Sequence, residues 1–340
     1  MGRKTVYNEI TSPEKIARIN PENMSLMNDF LDYLKSVGRS DSTIKNYKAD
    51  ILVFFCWCVD NLDNKSFVDL KKREISRFQN HALTAWKWST NRLRTVKSAI
   101  SSMSNFIENI LDDEIQGYKP IIRKVESPPK QPVMKKTVWE ESELVSLMDK
   151  LVELGDFEKA CFIALATYSG RRKSELCRFK VSDFDDDRLV CDGALYKSDP
   201  IKTTGRGGGK YIPCYTLAKK FKPYLDLWLK YREDNGICSE WLFPRKGFPD
   251  EQIRTSTIDS WGDRFTKLSG KPYYTHSLRH AYTTSLSRAG IPDSVITSLV
   301  GWESSDMVRL YDDTPQDEQI GAYFANGEIV AQKQKSISDI

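Results

Sequence analysis

A proline-rich, basic stretch divides this chain of 340 residues into two parts, each of which needs a core of its own. The stretch runs from residue 118 to residue 136 and contains four prolines and six Lys or Arg side chains. Proline fixes φ and lacks an amide donor, so a helix does not continue through such a segment, which is expected to be semi-rigid. With 40 % apolar residues, the chain is long enough to fill two cores.

Before the break, apolar residues recur at steps of three and four, which predicts four helices packed as a small bundle. The first helix ends at Gly38, the second follows N-cap residues near Ser40, and the third covers roughly 73–83. The fourth carries Leu93, Val96, Ile100, Met103 and Ile107 on one face. We therefore predict an N-terminal segment of residues 1–23, a helical domain of residues 24–115 and a linker of residues 116–136.

After the break, the pattern is again helical, with one small β element. Thr137 and Glu140 have the spacing of a capping box, and an apolar helix over 156–168 is closed by Gly170. Two short strands are predicted at 189–191 and 211–213, around a glycine-rich loop at 205–209 that has the composition of a mobile hairpin tip. The fold class predicted from these patterns is mainly α with a small β-sheet. The second domain is expected over residues 137–325, followed by a tail of residues 326–340.

Composition excludes several classes of protein. The net charge of +4 comes from 51 basic and 47 acidic residues, so the local distribution of charge, rather than its total, must decide on a nucleic-acid partner. The seven cysteines are scattered and form no CxxC pair, which favours reduced core cysteines over zinc ligands or disulfides. The N-terminus is polar, and no apolar run approaches the ~18 residues of a membrane helix, so we expect a cytoplasmic protein without a membrane partner.

One hexapeptide near the C-terminus combines groups that can act on a phosphate ester. It runs from Thr275 to His280 and holds two of the three histidines of the chain. On a helix, His276 and Arg279 are three residues apart and share a face. Trp302 and Tyr311 follow, so an anion clamp, a proton-transfer group and a nucleophile occur in sequence order.

Two further groups of residues support an anion site. In the segment 169–176, Arg171 and Arg172 stand at the start of a helix, where positive charge opposes the helix dipole and a bound anion would compensate. Glu175 can satisfy the amides there or pair with an arginine. In the segment 201–210, the glycines do not match a phosphate-binding P-loop, but a lysine on a mobile hairpin can protonate a leaving oxygen.

In this order and spacing, the chain from about residue 24 to 325 resembles the tyrosine recombinases of the phage integrase family, which are site-specific DNA recombinases. The resemblance implies a SAM-like core-binding bundle at the N-terminus and an α+β catalytic domain at the C-terminus. It implies that the catalytic residues are Arg172, Lys202, His276, Arg279, Trp302 and Tyr311. Arg171 stands where the family more often has an apolar residue, so Arg171 and Lys210 stay open as substitutes for Arg172 and Lys202. Trp302 stands where the family often has histidine, and its single N–H cannot shuttle a proton.

The resemblance also implies the chemistry. The two arginines would hold the phosphate, Tyr311 would form a 3′-phosphotyrosine with help from His276, and Lys202 would protonate the departing 5′ oxygen. A second strand would reverse the step through a Holliday junction, and this scheme needs neither a metal ion nor a nucleotide cofactor. The run from Asp185 to Asp187 is predicted to be a turn before a strand.

Double-stranded DNA carrying specific recombination sites is the expected partner. Candidate contacts, for which a solvated face is the alternative, are Lys45, Lys48, Arg92, Arg94, Lys97, Arg123 and Lys124. Apolar residues between Ile320 and Val330 at roughly helical spacing predict an amphipathic helix that docks on a neighbouring subunit or packs in cis. The resemblance implies a dimer on one site, a tetramer in the synapse, DNA-bending accessory proteins and a location on the nucleoid.

The leading interpretation is the integrase or transposase of a mobile element. A type IB topoisomerase, which uses the same chemistry, and a catalytically inactive DNA-binding protein are the alternatives. The core-binding bundle and the docking tail favour recombination over relaxation. The complete set of catalytic residue types argues against an inactive protein.

Overall fold

The computed structural model describes residues 10–130, 137–203 and 209–315, together with the backbone of 324–325 and 328–329. The chain divides into two compact units at the proline-rich break. Each unit has its own hydrophobic core, as the sequence predicted. In the described ranges, no helix is long and apolar enough to cross a membrane.

The first unit is helical, and the four predicted helices are confirmed. Serine side chains cap two of them: Ser40 accepts a hydrogen bond from the Thr43 amide, and Ser89 accepts one from the Arg92 amide. A short additional helix lies within the predicted N-terminal segment. The helices are α1 (Pro13–Ala17), α2 (Pro21–Ser36), α3 (Asp41–Asn61), α4 (Lys72–Thr84) and α5 (Thr90–Ile110).

The predicted linker contributes to the packing of the first unit as far as it is described. Ile122 is 1 % exposed and belongs to the core of the bundle. The hydroxyls of Tyr118 and Ser104 lie 2.7 Å apart in a hydrogen bond. Residues 131–136, with the remaining proline and basic residues of the break, lie outside the described ranges.

The second unit is built around α7, in which ten of the thirteen residues, from Ala160 to Ser169, are buried. The capping box predicted at Thr137 is wrong, because the N-cap is Glu140 and its partner is the Glu143 carboxylate, 3.0 Å from the Glu140 amide. The helices are α6 (Glu141–Glu153), α7 (Phe157–Ser169), α8 (Lys173–Leu176), α9 (Ala218–Asp234), α10 (Thr255–Ser269), α11 (Thr275–Arg288), α12 (Asp293–Val300) and α13 (Asp306–Tyr311).

The strands of the second unit are short and antiparallel. They are β1 (Leu189–Val190), β2 (Leu195–Lys197), β3 (Ile201–Lys202), β4 (Tyr211–Ile212), β5 (Tyr215–Leu217), β6 (Pro244–Arg245) and β7 (Phe248–Gln252). Both predicted strands are present, but they do not pair with each other. β1 joins a sheet of order β1-β2-β5, whereas β4 pairs with β3 in a separate hairpin. The predicted turn before β1 is a 3-10 helix, Asp186–Arg188.

The tail differs from its prediction. Where it is described, the expected amphipathic helix is wrong: β8 (Phe324–Ala325) and β9 (Glu328–Ile329) form an antiparallel ladder. Phe324 pairs with Ile329 across this ladder. Ile320, Tyr323 and Val330 lie outside the described residues, as do residues 204–208 of the predicted hairpin tip.

Candidate active site

A glycine lets the end of α7 approach α11 closely. Gly170 adopts φ 59°, a left-handed conformation that favours glycine and ends the helix. A Cβ placed on Gly170 would lie 2.2 Å from Cδ1 of Tyr282, so no larger side chain fits without displacing that ring. The Gly170 carbonyl accepts a hydrogen bond of 3.1 Å from Nη1 of Arg279, which links the two segments that carry the predicted arginines.

Glu175 organises the corner after Gly170. Its buried carboxylate accepts a hydrogen bond from the Arg172 amide and another from Nη1 of Arg172, each 3.0 Å long. The Arg172 side chain stays 33 % exposed, whereas the Arg171 side chain is 0 % exposed. Both roles anticipated for Glu175, capping the amide and pairing with an arginine, are therefore confirmed, and Arg172 is the arginine of the pair that faces solvent.

Arg279 presents a guanidinium with unused donors. The residue is 1 % exposed, and in the described part of the chain its Nε and Nη2 have no hydrogen-bond partner. Burial and the nearby Arg172 lower the pKa of Arg279 to about 9, so the group is still positive at neutral pH. A buried cation with free donors is a favourable site for an oxyanion.

Tyr311 reaches this site within the same chain. Its hydroxyl lies 2.7 Å from Nε2 of His276. His276 is exposed as a residue, but its ring packs edge-on against Tyr311. Burial of the ring, and secondly the positive charge of Arg279, lower the pKa of His276 to about 4. The imidazole is therefore neutral at pH 7, and Nε2 can accept the proton of the Tyr311 hydroxyl.

Two aromatic rings hold Tyr311 in place. His280 stacks on it with ring centroids 4.3 Å apart, and Trp302 lies 4.8 Å away. The guanidinium carbon of Arg279 lies 4.9 Å from the Trp302 ring centre, a cation–π distance. Within the described ranges, the buried Nε1 of Trp302 has no hydrogen-bond partner, so a donor is available beside the tyrosine.

The segment after Tyr311 is tied to α11. Nδ1 of His280 lies 3.2 Å from a carboxylate oxygen of Asp313. The Asp313 amide donates to the hydroxyl of Thr284 at 2.9 Å, and Ser287 donates to Asp312 at 2.6 Å. The sequence analysis missed the role of these two aspartates. Only the packing of α11 against the end of α13 brings them next to His280 and Ser287, so the sequence carried no signal for these contacts.

Lys202 lies on the exposed side of β3. In the part of the chain that the structure describes, its ammonium makes no hydrogen bond or ion pair, and its carbonyl accepts a 2.9 Å hydrogen bond from Arg178. Lys210, the alternative lysine, pairs with Glu303 at 2.7 Å. The structure therefore brings Arg172, His276, Arg279, Trp302 and Tyr311 together, whereas Lys202 stays on the neighbouring hairpin.

The residues of the first unit that were predicted to contact DNA differ in their exposure to solvent. Lys45 and Lys48 on α3 are exposed, and Lys124 in the described part of the linker is exposed as well. Arg123 is also exposed and pairs with Glu108 at 3.2 Å. These four side chains are exposed, and their contact with DNA stays a prediction.

The three predicted contacts on α5 have partners inside the unit; of these, Lys97 is wrong as a DNA contact because it is buried, whereas Arg92 and Arg94 are partly exposed and stay predictions. Arg92 pairs with Asp50 at 2.7 Å, and Arg94 donates to the Pro128 carbonyl at 2.8 Å. Lys97 is 5 % exposed and donates to the Val125 carbonyl at 2.7 Å. Burial lowers the pKa of Lys97 to about 8. A buried ammonium that holds the linker cannot also contact DNA in this arrangement.

Comparisons with known proteins identify the family of this chain. The profile described as "Phage integrase family" matches residues 137–317, and the profile described as "Phage integrase, N-terminal SAM-like domain" matches residues 26–117. A protein named tyrosine recombinase from Thermosipho africanus is 24% identical over 301 residues, which cover 86% of this chain and 96% of the relative.

Two solved structures share the fold. A lambda integrase dimer bound to a COC′ core site has a TM-score of 0.63 at 20% identity, with 87% of this chain and 80% of that chain covered. A lambda integrase tetramer bound to a Holliday junction has a TM-score of 0.62 at 20% identity, with 85% and 77% covered. Since the first profile spans more than half of the chain and the residue types of the site are those expected, this chain belongs to the phage integrase family and is a tyrosine recombinase.

Proposed function

We propose that this protein is a site-specific DNA recombinase that cleaves and rejoins strands through a 3′-phosphotyrosine at Tyr311, as the integrase or transposase of a mobile element. The observation that carries the proposal is the position of the Tyr311 hydroxyl, 2.7 Å from a neutral His276 and beside the unused donors of Arg279. A nucleophile, a proton acceptor and an oxyanion clamp therefore meet at one place.

In the proposed mechanism, Arg172 and Arg279 hold the two non-bridging oxygens of the scissile phosphate. Negative charge grows on these oxygens as the tyrosine attacks, so the guanidinium groups stabilise the transition state more than the ground state. The Trp302 N–H donates a further hydrogen bond to the same oxygens. Arg172 is favoured over Arg171 for this role, because only Arg172 is partly exposed.

Proton transfer completes the cleavage step. His276 accepts the Tyr311 proton while the phenol oxygen forms a bond to phosphorus and the bond to the 5′ oxygen breaks. Lys202 donates a proton to that departing oxygen, which requires the β3-β4 hairpin to bring the ammonium to the DNA. A 5′-hydroxyl from a second strand then attacks the phosphotyrosine and restores both the free tyrosine and a phosphodiester.

The exposed cations of the first unit, Lys45, Lys48, Arg123 and Lys124, would contact the DNA backbone. By analogy with the lambda integrase complexes, the protein would bind a core site as a dimer and a Holliday junction as a tetramer, with the tail coupling subunits. DNA-bending accessory proteins and a location on the nucleoid belong to the same proposal, since the substrate is duplex DNA held in a defined geometry.

A suicide duplex, nicked just 3′ of the cleavage position, tests the proposal. The short cleaved fragment diffuses away, so the covalent adduct accumulates and migrates slowly on a denaturing gel. We expect an adduct with the wild-type protein and none with Tyr311→Phe. No wild-type adduct on DNA that the protein binds specifically would favour an inactive DNA-binding protein, and an adduct with Tyr311→Phe would mean another nucleophile.

Strand exchange separates recombination from relaxation. Two duplexes carrying the same site and different end labels should yield joined products of new length. A topoisomerase would relax supercoiled plasmid without a need for the site and without exchange of labels. Relaxation alone would contradict the proposal.

A further inference from the structure

A fully buried arginine next to the active site has no part in the mechanism described above. Arg171 has a side chain that is 0 % exposed, and it follows Gly170 at the corner that also supplies Arg172. A buried charge is costly unless it is paired and hydrogen-bonded, so a guanidinium at this position calls for an explanation in its contacts.

Those contacts join two separate parts of the site. Nε of Arg171 lies 3.0 Å from Oε2 of Glu175, the carboxylate that also holds Arg172. On its other side, Nη1 of Arg171 donates a 2.9 Å hydrogen bond to the carbonyl of Val300, the last residue of α12. The guanidinium therefore links the corner after Gly170, which Glu175 organises, to the end of the helix that precedes Trp302.

The turn at the end of α12 is built around this guanidinium. Gly301 has φ 73°, and a Cβ on it would lie 2.5 Å from Nη1 of Arg171 and 2.6 Å from Cδ1 of Ile212. Ile212 is on β4 and pairs with Ile201, the neighbour of Lys202 on β3. One side chain thus touches the turn that orients Trp302 and lies beside the hairpin that carries Lys202.

We infer that Arg171 is a positioning residue for the cleavage step, acting through Glu175 on Arg172 and through the Val300 carbonyl on Trp302 and thereby on Tyr311. This inference rests on the proposed function and adds to it a residue that does not touch the substrate. Without the Arg171 guanidinium, the end of α12 could move relative to Arg172. Misplacement of reacting groups by about 1 Å can slow a reaction by about 100-fold.

The test compares Arg171→Met with a matched control, Arg232→Met. Arg232 is also buried, at 5 % exposure, and its guanidinium donates to the backbone carbonyls of Ser239, Trp241 and Leu242 in the same unit. None of these acceptors belongs to the candidate site. Both variants lose a buried guanidinium that holds backbone carbonyls, so a general loss of stability affects them alike.

The readout is the rate of adduct formation on the suicide duplex, normalised to the folded, DNA-bound fraction. We expect Arg171→Met to slow the rate by about tenfold or more, on the same positioning argument, and Arg232→Met to leave it within about twofold of wild type. Arg171→Lys should remain slow, since one ammonium cannot span both acceptors. Equal normalised rates for Arg171→Met and wild type would overturn the inference.

Substrate chemistry separates positioning from a direct effect of charge. Replacing the scissile phosphate by a methylphosphonate removes its negative charge, so a defect caused only by a missing positive charge should largely disappear. Displacement of Trp302 and Tyr311 through the Val300 carbonyl should persist on that substrate, whereas the part of the defect that acts through Arg172 should weaken with the charge. Complete disappearance of the defect would contradict the route through α12. A wild-type protein that forms no adduct would instead count against the proposed function, so the two failures can be told apart.

Should Arg171→Met fail to fold, Gly301→Ala provides a second test. Its added methyl group would press on Nη1 of Arg171 and displace the same contact while the charge remains. We expect a comparable loss of normalised adduct rate in Gly301→Ala. A rate like that of wild type, with the protein folded, would overturn the inference as well.

Discussion

Substitution of Gly170 by alanine tests the packing that brings the two arginine segments together. The residue has φ 59°, and left-handed backbone costs a residue other than glycine about 1–2 kcal/mol. The new Cβ would also lie 2.2 Å from the Tyr282 ring, and overpacking of this kind costs about 1–3 kcal/mol. The two contributions together predict a loss of about 2–5 kcal/mol in the free energy of unfolding of the second unit.

Gly155→Ala is the matched control for this substitution. Gly155 has φ 71° after α6, and a Cβ there would meet nothing within 4 Å. Alanine at 155 therefore carries the backbone strain without the steric clash. We expect Gly170→Ala to be less stable than Gly155→Ala by about 1–3 kcal/mol, which corresponds to about 2–4 °C in Tm for each kcal/mol.

Urea unfolding of the full chain, followed by circular dichroism, measures both variants. Adduct formation provides a second readout, because the Gly170 carbonyl accepts a hydrogen bond from Arg279 and a displaced corner should slow cleavage. Gly155→Ala should cleave at the wild-type rate. If the two alanine variants have the same stability within about 0.5 kcal/mol, close approach of Tyr282 is not what requires glycine at 170.

Three further outcomes follow from individual side chains. The NMR shifts of the His276 ring protons should not change between pH 5.5 and 8, because the pKa of His276 is lowered to about 4. A His276→Gln variant assigns these signals. A midpoint near the ordinary 6.5 would contradict the buried, neutral imidazole. Trp302→Phe should slow adduct formation by about tenfold through loss of its N–H donor while retaining the ring, whereas Trp302→His should be faster than the phenylalanine variant; equal rates for Trp302→Phe and wild type would exclude that donor. The pKa of Lys97 is about 8 in the folded chain and 10.5 ordinarily, so between these values the unfolded chain binds the proton more tightly. The stability of the folded chain should therefore rise from pH 8 to 10.5. Lys97→Met should lack that rise in Tm, and a variant with the wild-type pH profile would refute the assignment.

Local signals predicted much of the fold. Helix ends at Gly38 and Gly170 follow from the left-handed conformation that glycine adopts, and the apolar spacing within each helix fixes its buried face. The convergence of His276, Arg279 and Tyr311 was also predicted, because two of them share a helix face and the third follows at the spacing that the family resemblance implies.

The remaining features depend on contacts between distant residues. Strands of two or three residues carry too little pattern to show that β1 pairs with β2 rather than with β4. Lys97 was predicted to be an exposed cation. Its apolar stem is instead buried, and its ammonium donates a hydrogen bond to a carbonyl 28 residues away. The role of Asp313 beside His280 is likewise visible only once α11 and the end of α13 are adjacent.

The central claim, that Tyr311 becomes joined to DNA, is tested most directly by mapping the adduct. Trypsin should release the peptide from 310 to 333, which contains both Tyr311 and Tyr323, so fragment spectra must locate the added nucleotide. We expect the whole modification on Tyr311, attached through a 3′-phosphate. A nucleotide on Tyr323, on any other residue, or attached through a 5′-phosphate would contradict the account.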